Sequence, residues 1–163
     1  MRFLKRILAL SLALLLFLAP VLADGLAGWD REAEQAILSA EPLDAYGLYY
    51  TELEVAIYLY QYGVLPMNYI TKDDAADLGW TGGSVEYYLD GAAIGGDVYR
   101  NLSGALPKGK DLTYYECDLD TNGYQPRGAK RLIFSNTGCV YYTEDHYTTF
   151  VQLLGEEDYD HAD

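Results

Sequence analysis

Apolar residues recur at helical spacing early in the chain and in short alternating runs late in it. Trp29, Ala33, Ile37 and Ala40 stand three or four residues apart with acidic positions between them, which predicts a short amphipathic helix stopped by Pro42. Residues Ala45 to Tyr50 are aromatic and turn-like, and Leu53, Ala56, Ile57 and Tyr60 then form a second apolar stripe ending at Gly63. Thr71 followed by Asp74 resembles a capping box with Asp in place of Glu, opening a short helix that ends at Leu78-Gly79, and Ser84 is placed to cap a third from Val85 to Leu89. After Gly91 the texture changes to five β-rich runs: Gly96 to Arg100, Thr113 to Leu119, Lys130 to Ser135, Cys139 to Thr143, and Thr148 to Leu153. Ser135-Asn136-Thr137-Gly138 reads as a hairpin turn. Helices first and strands later predict an α+β domain, with N-terminal helices packed on one face of a five-stranded antiparallel sheet.

The first 23 residues follow a different logic. Arg2, Lys5 and Arg6 precede an apolar run from Ile7 to Leu18, and small residues at Val21 and Ala23 suit a cleavage site. The run is shorter than the roughly 20 residues that span a bilayer, so residues 1–23 read as a signal peptide, with an uncleaved anchor as the competing reading. The expected division is then a signal peptide over 1–23, a propeptide or extra helical segment over 24–52, a main domain over 53–154 and an acidic tail over 155–163. Export places the chain outside the cell, where its two cysteines, Cys117 and Cys139, are permitted to pair. Two histidines and no Cys-x-x-Cys leave almost no ligands for structural zinc, and no metal or other cofactor is expected.

Charge changes the picture further. The 163 residues carry a formal charge of −14, and loss of the leader removes three positive charges and no negative one, leaving −17. That argues against broad adhesion to nucleic acid or anionic membrane, because a protein that neutralises phosphates normally presents a cationic surface. The bases are clustered, however, with Lys108/Lys110 and Lys130/Arg131 as two groups and Arg127 close to the second. Local positive potential can therefore exist on an acidic protein.

Strand parity brings chemistry together. Glu116 and Asp118 face one side of their run while Tyr115, Cys117 and Leu119 face the other, apolar side. Two carboxylates thus lie on the outer face, with Arg127 and Arg131 on the next segment, His146 after the following hairpin, and Lys72 isolated on a helix start. A base, an acid and fixed cations are what metal-free phosphodiester cleavage requires. The bland alternative is that Glu116 and Asp118 are ordinary surface partners of the arginines.

Several linked motifs carry a family resemblance: Leu65-Pro66-Met67-Asn68-Tyr69-Ile70-Thr71-Lys72, Leu78-Gly79-Trp80, Ile94-Gly95-Gly96-Asp97, Leu106-Pro107, Glu116-Cys117-Asp118, Arg127 with Lys130-Arg131, and Asp145-His146-Tyr147 with Phe150. From about Leu53 to Leu153 the chain closely resembles the barnase family of secreted bacterial guanyl-preferring ribonucleases. The resemblance implies an endoribonuclease acting on single-stranded RNA by transesterification through a 2′,3′-cyclic phosphate. It implies Glu116 as general base and His146 as general acid, Lys72, Arg127 and Arg131 around the phosphate, and Asp97 and Asp118 in support. Tyr147 is implied against a base or the phosphate, and Arg100 and Asn101 in the loop that reads the base. With ordinary pKa values of about 4.3 for Glu and 6.5 for His, such a pair works best between those limits. The family's sheet order also sets the two cysteine strands two apart, about 9 to 10 Å, which is beyond disulfide reach. A secreted monomer free of the membrane is expected, with a barstar-like intracellular inhibitor as a possible partner.

The family's base loop normally carries an Arg-Glu pair after the Asn, whereas Leu102 and Ser103 stand here, so guanine preference is in doubt. A second class of reading stays open: a secreted, catalytically weak or inactive RNA- or calcium-binding module. Asp118-Leu119-Asp120-Thr121-Asn122-Gly123 fits the first half of a calcium loop but has Ala129 where a bidentate Glu is required.

Overall fold

The computed structural model describes residues 26–155; the expected leader and most of the acidic tail lie outside these residues. Two helices come first among the larger elements. Helix α1 (Arg31–Leu38) starts where the Asp30 carboxylate accepts from the N–H groups of Glu32 (3.1 Å) and Ala33 (2.9 Å). Helix α2 (Glu52–Tyr62) opens on Thr51, whose N–H and hydroxyl are both met by Glu54, and ends at Gly63 with φ of 71°. Helix α3 (Lys72–Asp77) opens on the Thr71/Asp74 box, and the stretch after Ser84 is a single 3-10 turn, Val85–Tyr87, rather than a longer helix.

Seven strands form one sheet: β1 (Leu26–Trp29), β2 (Tyr69–Ile70), β3 (Ala93–Tyr99), β4 (Tyr114–Asp118), β5 (Arg131–Ser135), β6 (Val140–Thr143) and β7 (Phe150–Leu154), in the order β1-β7-β6-β5-β4-β3-β2. This corrects the five-stranded antiparallel sheet expected from the sequence. Strands β3 to β7 run antiparallel to their neighbours, but β1 joins β7 in parallel and β2 joins β3 in parallel, so the sheet is mixed. Strand β2 spans two residues, too few for an alternating pattern to register, and β1 (LAGW) is interrupted by Gly28 and ends on a residue whose spacing fits a helix. Trp29, read as the first residue of the helical stripe, is instead the end of β1.

The sheet has a core on each face. On the helix side Ile37, Val55, Ala56 and Leu59 pack against Cys117, Leu132 and Leu153. On the other side Tyr114, Ile133, Tyr141 and Phe150 lie under Leu106 of the β3–β4 loop. That loop covers only part of the second face, so the remainder is left for polar residues. Cys117 and Cys139 fall in the two opposite cores, and no disulfide joins them.

Candidate active site

Strand register assembles the polar part of the second face. Asp97 of β3 stands opposite Glu116 of β4, and Asp118 of β4 stands opposite Arg131 of β5, which in turn faces Thr143 of β6. A bulge between Gly95 and Asp97 sets the first of these pairs. Gly95 is required there, because a Cβ at that position would stand 2.5 Å from the Cys117 Cβ.

Glu116 is the centre. Its Oε1 accepts from Lys72 Nζ at 2.5 Å and its Oε2 from the Tyr147 hydroxyl at 2.8 Å, with only 13 % of the side chain exposed. Lys72 is the first residue of α3, and its backbone N–H donates to Asp97 Oδ2 at 3.1 Å while its Nζ lies 3.8 Å from the same oxygen. Asp97 thus fixes the helix start that aims the ammonium at Glu116.

Asp118 organises the arginines. Arg127 donates to both of its oxygens (2.5 and 3.0 Å), and Arg131 Nε lies 2.9 Å from Oδ1. Asp118 and Arg131 are almost fully buried, so this is a desolvated pair in which each charge depends on the other. The Asp118 hydrogen bond is also the main cause that raises the Arg127 pKa, keeping that guanidinium charged. Arg131 Nη1 donates to the carbonyls of Lys130, Gly128 and Arg127, which pins the segment carrying Arg127.

His146 and Tyr147 occupy the β6–β7 turn with φ of 57° and 71°, two consecutive left-handed residues without glycine. Asp145 holds this turn. Its carboxylate accepts from the Thr149 N–H and hydroxyl, the Thr143 hydroxyl and the Thr148 N–H, bonds that lower its pKa to about 2. The exposed His146 ring packs 4.7 Å from the Tyr147 ring, and Tyr147 stacks in turn on Tyr99 at 5.4 Å and 18°.

The structure therefore brings together Lys72, Asp97, Glu116, Asp118, Arg127, Arg131 and Tyr147, with His146 against the last. Arg100 and Asn101 do not join this cluster. Arg100 is exposed, and the Asn101 side chain is spent within its own loop, donating to the Leu106 carbonyl at 2.7 Å and accepting from the Leu106 N–H at 3.1 Å. The run resembling a calcium loop sends its carboxylates to separate cations, Asp118 to the arginines and Asp120 to Lys130 at 2.7 Å.

A family model described as ribonuclease matches residues 53–154. The chain belongs to the barnase-like microbial ribonucleases. It is 42% identical over 102 residues to a ribonuclease of Heyndrickxia coagulans, a match covering 61% of this chain and 92% of that protein. The same identity and share of this chain hold for a ribonuclease of Bacillus intermedius, of which 62% is covered. A guanyl-specific ribonuclease St of Saccharopolyspora erythraea is 35% identical over 77 residues, covering 47% of this chain and 71% of the relative. The chain is accordingly an endoribonuclease, and the match includes every residue of the cluster just described. Residues 26–52 precede it.

Two participants in the geometry were not singled out from the sequence. Tyr99 falls inside the β-rich run Gly96 to Arg100 with nothing in the sequence to give it a role of its own, yet its ring backs Tyr147. Asp145 was seen only as part of a motif, although an Asp followed by threonines three and four residues later is a legible turn signal.

Proposed function

We propose that this ribonuclease is a secreted enzyme that cleaves single-stranded RNA without a metal ion, through a 2′,3′-cyclic phosphate. Glu116 takes the proton from the ribose 2′-hydroxyl, and that oxygen attacks the adjacent phosphorus. His146 protonates the departing 5′-oxygen. In the second step a water opens the cyclic phosphate with the two roles exchanged, so protons balance over the cycle. Lys72, Arg127 and Arg131 offset charge building on the phosphate oxygens, and Asp118 and Asp97 hold them in position.

The observation that carries this reading is the setting of Glu116. A largely enclosed carboxylate gripped by an ammonium and a phenol, beside two arginines locked to one buried aspartate, is a preorganised anionic base next to fixed cations. Secretion rests on the leader-like first 23 residues. Base preference is proposed to be relaxed: Leu102 is 86% exposed, and the Ser103 hydroxyl accepts from the Ala105 N–H at 3.3 Å, so the loop offers no carboxylate to the two donors on a guanine edge. One lost contact of that kind costs on the order of 1 to 3 kcal/mol of discrimination. The test is to incubate the protein with the four possible purine- or pyrimidine-led dinucleoside monophosphates in chelator. Cyclic products from more than one base support the reading, and linear products alone refute the transesterification step.

A further inference from the structure

Positive charge is scarce on this chain, and most of what the described residues carry is neutralised. Among the described residues Arg31 pairs with Glu34, Lys72 with Glu116, Arg127 and Arg131 with Asp118, and Lys130 with Asp120. No described carboxylate lies at ion-pair distance from Arg100, Lys108 or Lys110, and all three belong to the connection between β3 and β4. In the reaction centre three cations meet the three carboxylates Asp97, Glu116 and Asp118. Apart from the proton that His146 carries, the centre therefore has no surplus charge with which to draw in a polyanion, and acidic residues outnumber basic ones over the described residues.

Arg100 and Lys108 line one open groove of about 510 Å³, together with Tyr99, Asn101, Leu102 and Thr113. The groove is built on fixed backbone. Asn101 clamps the loop to Leu106, and the Tyr114 hydroxyl donates to the Pro107 carbonyl at 3.1 Å. Lys108 is folded against Gly104, where a Cβ would stand 3.1 Å from its Nζ, and Gly104 has φ of 71°. The ammonium thus lies over the turn of the base loop, in the groove that Arg100 also lines. Tyr99 itself stacks on Tyr147 in the reaction centre. Tyr99 therefore belongs both to the groove and to the reaction centre, so the two adjoin, and a phosphate held in the groove belongs to a nucleotide flanking the one being cleaved.

We propose that the groove is a second phosphate subsite, in which Arg100 and Lys108 together hold a backbone phosphate of the RNA flanking the scissile one. The proposal rests on the reading that single-stranded RNA is the substrate. It explains how an enzyme of this acidity engages RNA: two cations left unneutralised at one place do the work that a diffuse basic surface does elsewhere.

The experiment compares kcat/KM on a dinucleoside monophosphate, which has one phosphate, with that on a tetranucleotide containing the same scissile bond. In Lys108→Gln and in Arg100→Gln the tetranucleotide-to-dinucleoside ratio is expected to fall about fivefold, through KM. The salt slope on the tetranucleotide should become shallower by about 0.7 per cation removed. Lys108→Arg should retain the parent ratio. A ratio unchanged in both Gln variants overturns the subsite, as does an equal loss on both substrates, which is what a misfolded loop would give. Failure of the parent protein to cleave either substrate counts against the proposed function instead. Binding of a labelled, non-cleavable tetradeoxynucleotide then decides the subsite, with about fivefold weaker binding by Lys108→Gln expected and equal binding overturning it.

Discussion

The phenolic hydroxyl of Tyr147 donates to Glu116 Oε2 at 2.8 Å. The phenolic oxygen of Tyr147 in turn accepts from Arg131 Nε at 3.1 Å, so one hydroxyl ties the central carboxylate to a buried guanidinium. Burial first, and the Glu116 hydrogen bond second, push the Tyr147 pKa up, which keeps the phenol protonated and donating at any working pH. Tyr147→Phe removes both bonds while keeping the ring that stacks on Tyr99. Hydrogen bonds to charged groups contribute about 1.5 to 3 kcal/mol, so kcat/KM on RNA is expected to fall at least about tenfold with the thermal midpoint little changed. Steady-state kinetics beside a melting curve checks this.

Asp118 bears the opposite balance of stability and activity. It is 2% exposed and is shared by two arginines, one of which is 3% exposed. Removing one member of a buried pair leaves an uncompensated charge and costs about 3 to 5 kcal/mol. Asp118→Asn is expected to lower the urea midpoint of unfolding strongly and to abolish most activity. A variant as stable as the parent would contradict the view that the arginines are held by this carboxylate.

The turn carrying His146 should respond to acid. In the folded chain the Asp145 pKa is about 2, held down first by the Thr149 hydrogen bonds, against about 3.9 for an ordinary Asp. A depressed carboxylate stabilises the fold fully above its unfolded pKa and loses that contribution as pH falls through its folded one. The difference in thermal midpoint between the parent and Asp145→Asn is therefore expected to be constant above about pH 5 and to close between pH 4 and pH 2. A difference that persists at pH 2 would contradict the charge-assisted account. At pH 6 the variant should also lose activity, because His146 follows Asp145 directly.

Residues 26–50 form part of the folded unit in this structure. Strand β1 extends the sheet at β7, and the Ile37 side chain of α1 is fully buried against the α2 side of the core. Ile37→Ala is expected to destabilise by about 2 to 5 kcal/mol with activity per folded molecule unchanged. A neutral substitution would mean that α1 detaches from the domain in solution.

The helices and the five strands β3 to β7 were legible because each carries a period or a punctuation mark, as with the α2 stripe ending at Gly63 or the Thr71 box before Lys72. Parity alone put Glu116 and Asp118 on one face, and the register now seen aligns them with Asp97 and Arg131. The edge strands were illegible because Leu26–Trp29 and Tyr69–Ile70 are defined by partners remote in sequence rather than by alternation. The second core was missed for a related reason. Tyr114 and Ile133 share the face of Glu116 and Arg131, and only the covering loop decides which positions of that face are dry. Among the described residues, the pairing of every cation but Arg100, Lys108 and Lys110 likewise depends on three-dimensional neighbours.

The central claim is that Glu116 is the base of a metal-free cleavage. The most direct measurement compares the parent with Glu116→Gln on a dinucleoside monophosphate in chelator, following both the rate and the 2′,3′-cyclic product. Loss of at least about a hundredfold in kcat, with the cyclic product formed by the parent and the variant still folded, is expected. Equal rates for the two proteins would contradict the account.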